Sequence, residues 1–503
     1  MKSKAARLMD TAIKNFKKRV QMTFQYQLLA QQLAEKIRCG EMQAGQRLNS
    51  LRQFAMQQNI SLNTAKSCYE LLEAQGLVYA VDKSGYFVAQ LARKNQLGLP
   101  EHPDFQPDVQ EVSHLALQIA IQEESMNCHF IQLGAIQLSP DFLPLEALRR
   151  SMQRALKHSQ PEDFLYSDKQ GHRQLREALS AHWAEDGFYI DAEHIYISNG
   201  CMPALSLLIQ HLTAEGDSII VPTPNYNGQL QLLATLKRKI VEIPADTSGI
   251  DLQRLEQAMK YSGAKACLMT ANFQNPLGFC LSHADKEKIA QLAAQYQCPI
   301  IEDDIFAECS YVQQRPLPIQ YWDQQGYVIY CGSVSKSLSP SYRVGWFCLP
   351  KRLRHLHAQL MTQHVVVNTP LQLGLADLIY SRAYRQHLNV LRPKLSAQMQ
   401  AYQAYIAEIF AGIDVRINQP QGSFVLWLQF SAQVSSWEMY CFAQQQGITI
   451  VPGLVFGREN RYDNCIRLNA GYALTAEIQQ ALQLLADWVR ERSSKPAMLQ
   501  ALI

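Results

Sequence analysis

The stretch SVSKSLSPSYRVGW, residues 333–346, places one lysine in a short polar turn directly after the strand-like run YVIYCGS. Lys336 stands between Ser335 and Ser337 with no acidic residue beside it, whereas a surface lysine usually sits among other charges. Arg343 follows seven positions later. This setting indicates a lysine that reacts with a ligand, and the fold around it decides which ligand.

Apolar strand-like runs alternate with helical runs from about residue 126 onward, as in HIYIS, DSIIVP, KACLMT and CPIIED. This βαβ pattern predicts an α/β fold with a mostly parallel sheet covered by helices. Residues 370–503 mix long helices with the strands FVLWLQF and NCIRLNA, which predicts a smaller α+β part. We expect one body at 126–503, with a large part at about 162–365 and a small part at about 126–161 and 370–503.

Small and polar residues follow several of these strands, where ligands bind in open α/β folds. Gly200 and Cys201 open a helix whose free backbone N–H groups favour a phosphate. Asp303 ends a strongly apolar strand, where a buried carboxylate needs a cationic or hydrogen-bonded partner. Tyr226 and Asn275 follow two further strands. Taken alone, the tyrosine would be a packing residue and the aspartate a helix N-cap.

Together these residues meet the needs of pyridoxal phosphate (PLP). A lysine amine condenses with the cofactor's aldehyde as a Schiff base. A carboxylate keeps the pyridine nitrogen protonated, so that the ring can act as an electron sink. An arginine holds phosphate oxygens with its fork of donors. The agreement of several strand-end motifs in order and type favours a PLP site.

The ordered motifs NGCMPAL, PTPNYNG, NFQNPLG, IIEDDIF, SVSKSLSPSYRVGW and CIRLNA resemble the fold-type I aminotransferase family over about residues 130–490. The resemblance implies that Lys336 forms the Schiff base and that Arg467 grips a substrate carboxylate. The other implied cofactor contacts are Asp303 at the pyridine nitrogen, Asn275 at the phenolic oxygen, Tyr226 stacked on the ring, Gly200, Cys201, Ser333 and Arg343 at the phosphate, and Tyr166 reaching the phosphate of a neighbouring subunit.

One feature departs from that family. Its members usually carry a tyrosine two or three residues after the strand-end aspartate, and the tyrosine hydroxyl bonds the ring's phenolic oxygen. Here those positions are Ile305 and Phe306, and neither side chain can donate a hydrogen bond. This departure indicates that cofactor binding is retained and that fast transamination is weakened.

The N-terminal residues predict three helices and a hairpin. Helical periodicity covers residues 24–39, a second helix covers 50–58, and Ser61 caps a third helix that ends at Gly76. Two short β-branched and aromatic runs follow around a turn at 82–85. This order describes a winged helix-turn-helix. Residues 1–90 carry 13 Lys/Arg and 6 Asp/Glu, a net charge of +7 in a chain of net charge +3, which favours a nucleic-acid partner.

Residues 24–88 resemble the GntR-type winged helix, and a GntR head on an aminotransferase-like body is the architecture of the MocR subfamily of transcription regulators. We expect a DNA-binding domain at 20–89 and a polar, proline-containing linker at 90–125. The third helix would enter the major groove. The residues expected to contact DNA are Arg52, Ser61, Asn63, Thr64, Lys66, Lys83 and Gly85. A winged helix that binds protein is the alternative for the head.

Two functions follow from this architecture. The first is a PLP-dependent transcription regulator that binds double-stranded DNA as a homodimer with domain-swapped heads and senses PLP or a small amine or amino-acid effector. The second is an active aminotransferase with a vestigial or recruiting head. The missing tyrosine hydroxyl and the intact head favour the regulator.

Cysteine usage and hydropathy indicate the cellular compartment. The 12 cysteines are scattered with no CxxC pair, which is typical of reduced thiols in a cytoplasmic protein, and no metal site is predicted. No apolar run is long enough to span a bilayer. The basic residues 1–20 lack the apolar core of a secretory signal.

Overall fold

A computed structural model describes residues 26–37 in part, 42–43, 45–74, 76–81, 84–89, 115–124, 129–165, 168–363, 367–458 and 460–493. Its contacts divide the chain into two compact units, residues 1–94 and 95–503. We call them the head and the body.

The head contains two described helices, Leu51–Gln57 and Leu62–Ala74, and an antiparallel hairpin of β1 (Val78–Val81) and β2 (Gly85–Val88). The described residues between 26 and 37 are also helical. The hydroxyl of Ser61 accepts a hydrogen bond from the backbone N–H of Thr64 at 3.1 Å, so the predicted cap of the third helix is confirmed. Phe54, Tyr69, Leu72, Leu77 and Val88 are among the buried residues that hold helices and hairpin together.

The body is built on an eight-stranded sheet in the order β4-β11-β10-β9-β8-β5-β6-β7. The pairs β10–β9, β9–β8, β8–β5 and β5–β6 are parallel, whereas β11 runs antiparallel to both of its neighbours. The strands of this sheet are β4 (Ile195–Ser198), β5 (Ser218–Thr223), β6 (Lys239–Asp246), β7 (Gly249–Ile250), β8 (Ala266–Met269), β9 (Ile300–Asp303), β10 (Val328–Ser333) and β11 (Gly345–Cys348).

A second, antiparallel sheet forms the C-terminal part of the body, in the order β12-β13-β16-β15. A separate parallel pair, β3 and β14, joins the first described strand of the body to this C-terminal part. These strands are β3 (Ile131–Gln132), β12 (Val415–Ile417), β13 (Val425–Phe430), β14 (Ile448–Thr449), β15 (Val451–Pro452) and β16 (Cys465–Asn469).

Helices accompany both sheets, and their apolar residues pack into a buried core around the large sheet. None of the described helices is both long and apolar enough to cross a membrane. The helices of the body are Leu115–Glu124, Leu145–His158, Arg173–Glu185, Cys201–Leu212, Asn227–Thr235, Leu252–Tyr261, His283–Gln295, His357–Gln363, Thr369–Tyr380, Ala383–Ile409, Ser436–Gln445 and Ala476–Ser493.

The end of the predicted linker differs from the sequence-based expectation. Residues 90–114 lie outside the described part of the chain, but Leu115–Glu124 forms a helix, which we call the linker helix. It packs against the helix Asn227–Thr235, and Ile121 is buried. The polar composition upstream concealed this apolar segment, in which Ile121 is buried.

Candidate functional site

Lys336 lies in the turn after β10, and its position follows from the strand that ends at Ser333. The side chain is partly buried, and its Nζ donates a hydrogen bond to the backbone carbonyl of Ile136. Burial, together with the charge of Arg467, lowers the pKa of the Lys336 amine to about 8. A lysine with this pKa is partly uncharged near neutral pH, and the uncharged amine is the form that can act as a nucleophile.

Asp303 ends β9, next to the strand that leads to Lys336. Its buried carboxylate accepts hydrogen bonds from Gln229 Nε2 at 2.8 Å, Cys201 Sγ at 3.3 Å and the backbone N–H of Ile305 at 3.3 Å. Burial raises the pKa of Asp303, and these donors and Lys336 oppose that rise. The carboxylate of Asp303 is therefore suited to a charged or hydrogen-bonding ligand.

The helix Cys201–Leu212 begins at Gly200, whose φ of +104° is easily reached only without a side chain. A Cβ at Gly200 would lie 2.9 Å from Nη2 of Arg343, and that nitrogen donates to the carbonyl of Asn199 at 2.7 Å. Ser333 is buried at the neighbouring strand end. The sheet thus brings a helix N-terminus and an exposed arginine together, which suits an anion.

Tyr226 lies between β5 and the helix Asn227–Thr235, directly before the helix, and Asn275 lies in the segment that follows β8. A Cβ on Gly228 would lie 2.6 Å from Cζ of Tyr226, so the tyrosine ring is folded against that glycine. Asn275 is buried, and its Oδ1 has no hydrogen-bond partner in the described part of the chain. Phe306 is also buried, with its ring 5.6 Å from that of Phe424, so this position supplies packing and no hydroxyl.

Arg467 lies on β16 and is buried without a carboxylate partner among the described residues. Its Nη2 donates to the carbonyl of Gly134 at 2.7 Å, its Nη1 donates to Asn227 Oδ1 at 3.4 Å, and its Nε has no described acceptor. Burial lowers the pKa of this guanidinium to about 10. A buried cation that lacks a counter-ion is suited to an anionic ligand, because burial of an unpaired charge is costly.

These residues fit PLP. The lysine amine, the carboxylate of Asp303 and the helix N-terminus beside Arg343 match the cofactor's aldehyde, pyridine nitrogen and phosphate in chemistry. The unpartnered Oδ1 of Asn275 and Nε of Arg467 are buried polar atoms that a ligand would satisfy. Tyr166 lies outside the described residues.

Gln229 was missed by sequence reasoning, although it donates the shortest of the hydrogen bonds to Asp303. It lies on the helix Asn227–Thr235, which carries other polar residues too, so no motif marks it, and only the fold brings it to the end of β9. Ile136 and Gly134 were missed too, because they contribute backbone carbonyls that carry no sequence signature.

Of the residues expected to contact DNA, the head exposes Arg52, Ser61, Asn63, Lys66 and Gly85, and their contact with DNA stays a prediction. Thr64 differs from the expectation, and Lys83 lies outside the described residues.

Thr64 is the residue that differs. It is only 6% exposed, and its hydroxyl pairs with the hydroxyl of Ser61 at 2.8 Å, so it belongs to the helix cap and not to the exposed surface. Arg47, which the sequence did not single out, is exposed and bridges to Phe87 of the hairpin. Its guanidinium would lie 3.8 Å from a Cβ at Gly85, which places a cation at the tip of the wing.

Two family models match the chain. Residues 25–88 match the bacterial regulatory proteins of the gntR family, and residues 129–485 match aminotransferase class I and II. The HTH-type transcriptional regulator YdcR of Escherichia coli strain K12 is 32% identical over 93% of this chain and 99% of its own length. The HTH-type transcriptional regulator YjiR of the same strain is 31% identical over 92% of this chain and 98% of its own length.

Solved structures show the same fold for the body. The multiple substrate aminotransferase of Thermococcus profundus has a TM-score of 0.68 at 24% identity, over 76% of this chain and 98% of its own. The kynurenine aminotransferase of Pyrococcus horikoshii has a TM-score of 0.69 at 24% identity, over 77% of this chain and 96% of its own. The chain therefore belongs to the MocR subfamily of GntR-type transcription regulators, which join a winged helix-turn-helix head to a PLP-dependent aminotransferase class I and II body.

Proposed function

We propose that this regulator works in the cytoplasm as a homodimer with domain-swapped heads that binds double-stranded DNA, and that its body senses PLP or a small amine that carries a carboxylate. One observation carries the sensing proposal. Lys336 and Arg467 are two cations without a described carboxylate partner, and both donate to backbone carbonyls of the same short segment, at Ile136 and Gly134. A ligand that engages either cation must compete with that segment.

The proposed roles of the cofactor residues rest on the family resemblance, and the positions of the described residues support them. PLP supplies an aldehyde carbon and an electron-withdrawing ring when it is bound. Lys336 would hold the aldehyde end, Asp303 the pyridine nitrogen and Arg467 the effector carboxylate. The phosphate would be held by Gly200, Cys201, Ser333 and Arg343, the ring by Tyr226 and Asn275, with Tyr166 contributed by the second subunit.

Two sets of contacts would transmit ligand binding at the site toward the linker. Residues 134–136 follow the linker helix in sequence and contact both site cations. The helix Asn227–Thr235 bonds Arg467 through Asn227 and Asp303 through Gln229, and it packs against the linker helix. A shift of either element would move the residues that lead to the head. This coupling is allosteric only if effector and DNA change each other's affinity reciprocally.

The homodimer is supported by an exposed apolar surface on the body. Three elements carry this surface. Two are the helices Leu145–His158 and Thr369–Tyr380, which pack against each other, and the third is the short segment directly before Tyr166. Large apolar side chains that are exposed on neighbouring elements support an interface there. The large apolar side chains of these elements that are about half exposed or more are Leu145, Leu156, Phe164, Leu165 and Tyr380.

The proposal is tested by fluorescence anisotropy with the DNA upstream of the protein's own gene. The protein is compared in PLP-loaded and PLP-free forms, at two salt concentrations. Salt-sensitive, site-preferring binding that changes with PLP supports the regulator. Binding that ignores PLP contradicts sensing through this site. Steady release of keto acid from amino donors would favour the alternative, an aminotransferase with a recruiting head.

Arg467→Met is expected to abolish the response to amines that carry a carboxylate while PLP binding is retained. The substitution keeps much of the side chain's volume and removes the cation that would hold the carboxylate. Spectral titration of the PLP-loaded protein should show effector affinity reduced by about tenfold or more. Arg416→Met on β12 of the same sheet is the control and should behave as wild type. An unchanged effector affinity would remove Arg467 from the site.

Arg52→Ala and Lys66→Ala are expected to weaken DNA binding and to lower its dependence on salt. Each removes an exposed cation at the start of a head helix, and each phosphate contact contributes about 0.9 to the slope of log affinity against log salt concentration. Arg149→Ala, in the body, is the control because that side chain is equally exposed and charged. Equal losses in all three variants would show that overall charge and not the head determines binding.

A further inference from the structure

We propose that Gln229 is a positioning residue for Asp303, whose side-chain amide fixes the carboxylate in the orientation and charge state that receive the pyridine nitrogen. The inference rests on the proposed role of Asp303 toward PLP. Gln229 would act through its hydrogen bond to Asp303 and would not itself touch the aldehyde, the phosphate or the effector. None of the sequence motifs of the site includes it.

The geometry assigns the two carboxylate oxygens of Asp303 to different partners. Oδ1 accepts the thiol of Cys201 at 3.3 Å and the backbone N–H of Ile305 at 3.3 Å. Oδ2 accepts Nε2 of Gln229 at 2.8 Å, and in the described part of the chain it has no other donor. A thiol is a weak donor, whereas an amide N–H to a carboxylate is a strong one. Gln229 is therefore the principal side-chain contact that orients Asp303.

The orientation of the Gln229 amide is itself defined by this contact. Gln229 is fully buried, and its Oε1 has no partner among the described residues. A reversed amide would place that oxygen against Oδ2 of Asp303, which is repulsive. This orientation leaves Oε1 without a protein partner among the described residues and directs the amide donor to the carboxylate.

Burial makes this contact necessary. Removing Asp303 from water raises its pKa, and the hydrogen bonds from Cys201 and Gln229 lower it again. A protonated Asp303 has no negative charge, so it no longer stabilises a protonated pyridine nitrogen. Since the loss of a donor raises the pKa of the carboxyl further, the protonated form would appear at higher pH. When the solution is acidified, a variant that lacks this donor should therefore lose the cofactor at a higher pH than wild type does.

The test compares Gln229→Met, Gln229→Glu and wild type. Methionine keeps the size of the side chain and removes the donor, whereas glutamate keeps the shape and replaces the donor by an acceptor. PLP affinity and the visible absorbance of the lysine-bound cofactor are measured from about pH 5 to pH 8. We expect Gln229→Met to bind PLP about tenfold more weakly, with the acid loss of binding shifted to higher pH, and Gln229→Glu to show a larger shift.

Gln231→Met is the matched control, because it makes the same substitution two positions along the same helix at a partly buried residue. It should follow wild type in affinity and pH profile. If Gln229→Met does not fold by circular dichroism, the isosteric glutamate variant carries the comparison. A wild-type pH profile and affinity in the Gln229 variants overturn the positioning role alone. Failure of the wild-type protein to bind PLP overturns the proposed function and this inference together.

Discussion

Lys336→Ala is expected to abolish covalent capture of PLP and, with it, the effect of PLP and amines on DNA binding. The alanine removes the amine whose lowered pKa of about 8 makes it a nucleophile near neutral pH. It also removes the hydrogen bond to the carbonyl of Ile136, so the segment that leads toward the linker loses one of its two cationic contacts. Borohydride reduction followed by intact-mass measurement should detect a PLP adduct on wild type and none on the variant.

The head should still bind DNA in this variant, because the substitution lies in the separate body unit. DNA affinity by anisotropy is therefore expected to be independent of added PLP or amine, and fixed at one value. Lys351→Ala, an exposed lysine fifteen positions downstream, is the matched control and should keep the adduct and the response. A PLP adduct that persists in Lys336→Ala would place the reactive amine elsewhere in the chain.

Much of the site was accessible from sequence because strand ends of a mostly parallel sheet converge. Lys336 and Asp303 each follow an apolar run, and β10 and β9 are neighbours, so their order along the chain predicted their proximity. Arg467 was placed only by resemblance, since its strand belongs to the other sheet. Gln229 had no signal at all, because it is one of several polar residues on its helix, and only the fold shows which of them meets Asp303.

The adjacent acids Asp303 and Asp304 show what sequence leaves open. Both are buried at the end of β9, and either could have faced the site. Successive side chains of an extended segment point to opposite sides, so one must turn away. Asp304 turns toward Arg315 at 2.6 Å and Asn272 at 2.8 Å, which leaves Asp303 for the site. The partner that decides between them, Arg315, lies in a loop that carries no recognisable motif.

The head was predicted more completely in its backbone than in its side chains. The cap of the third helix at Ser61 was expected and is present. The burial of Thr64 was not, because residues three apart at a helix start can bond to each other instead of facing outward. The linker helix was missed since local composition was averaged over a longer polar segment.

Arg315→Met is expected to cost about 3–5 kcal/mol of folding stability in the body. Arg315 is 2% exposed, and it donates to Asp304 at 2.6 Å, to the hydroxyl of Tyr330 at 2.8 Å and to Glu308 at 3.1 Å. The methionine would leave Asp304 with no described cation in hydrogen-bond contact, whereas Glu308 keeps Arg392 at 2.9 Å. Urea denaturation monitored by tryptophan fluorescence measures the loss. Arg382→Met, which breaks a largely exposed pair with Glu185, should cost less than about 1 kcal/mol.

The loss at Arg315 should also grow with pH. Burial raises the pKa of Asp304 to about 6 even though Arg315 lowers it, so removal of the arginine raises that pKa further. Between the unfolded pKa near 4 and the raised folded value, the variant's native state binds more protons than its unfolded state. Its stability therefore falls as pH rises through that interval, and the deficit against wild type should be larger at about pH 8 than at about pH 5. A deficit that stays the same from about pH 5 to about pH 8 would mean that Asp304 does not depend on Arg315 for its charge, and that the pair contributes through packing alone.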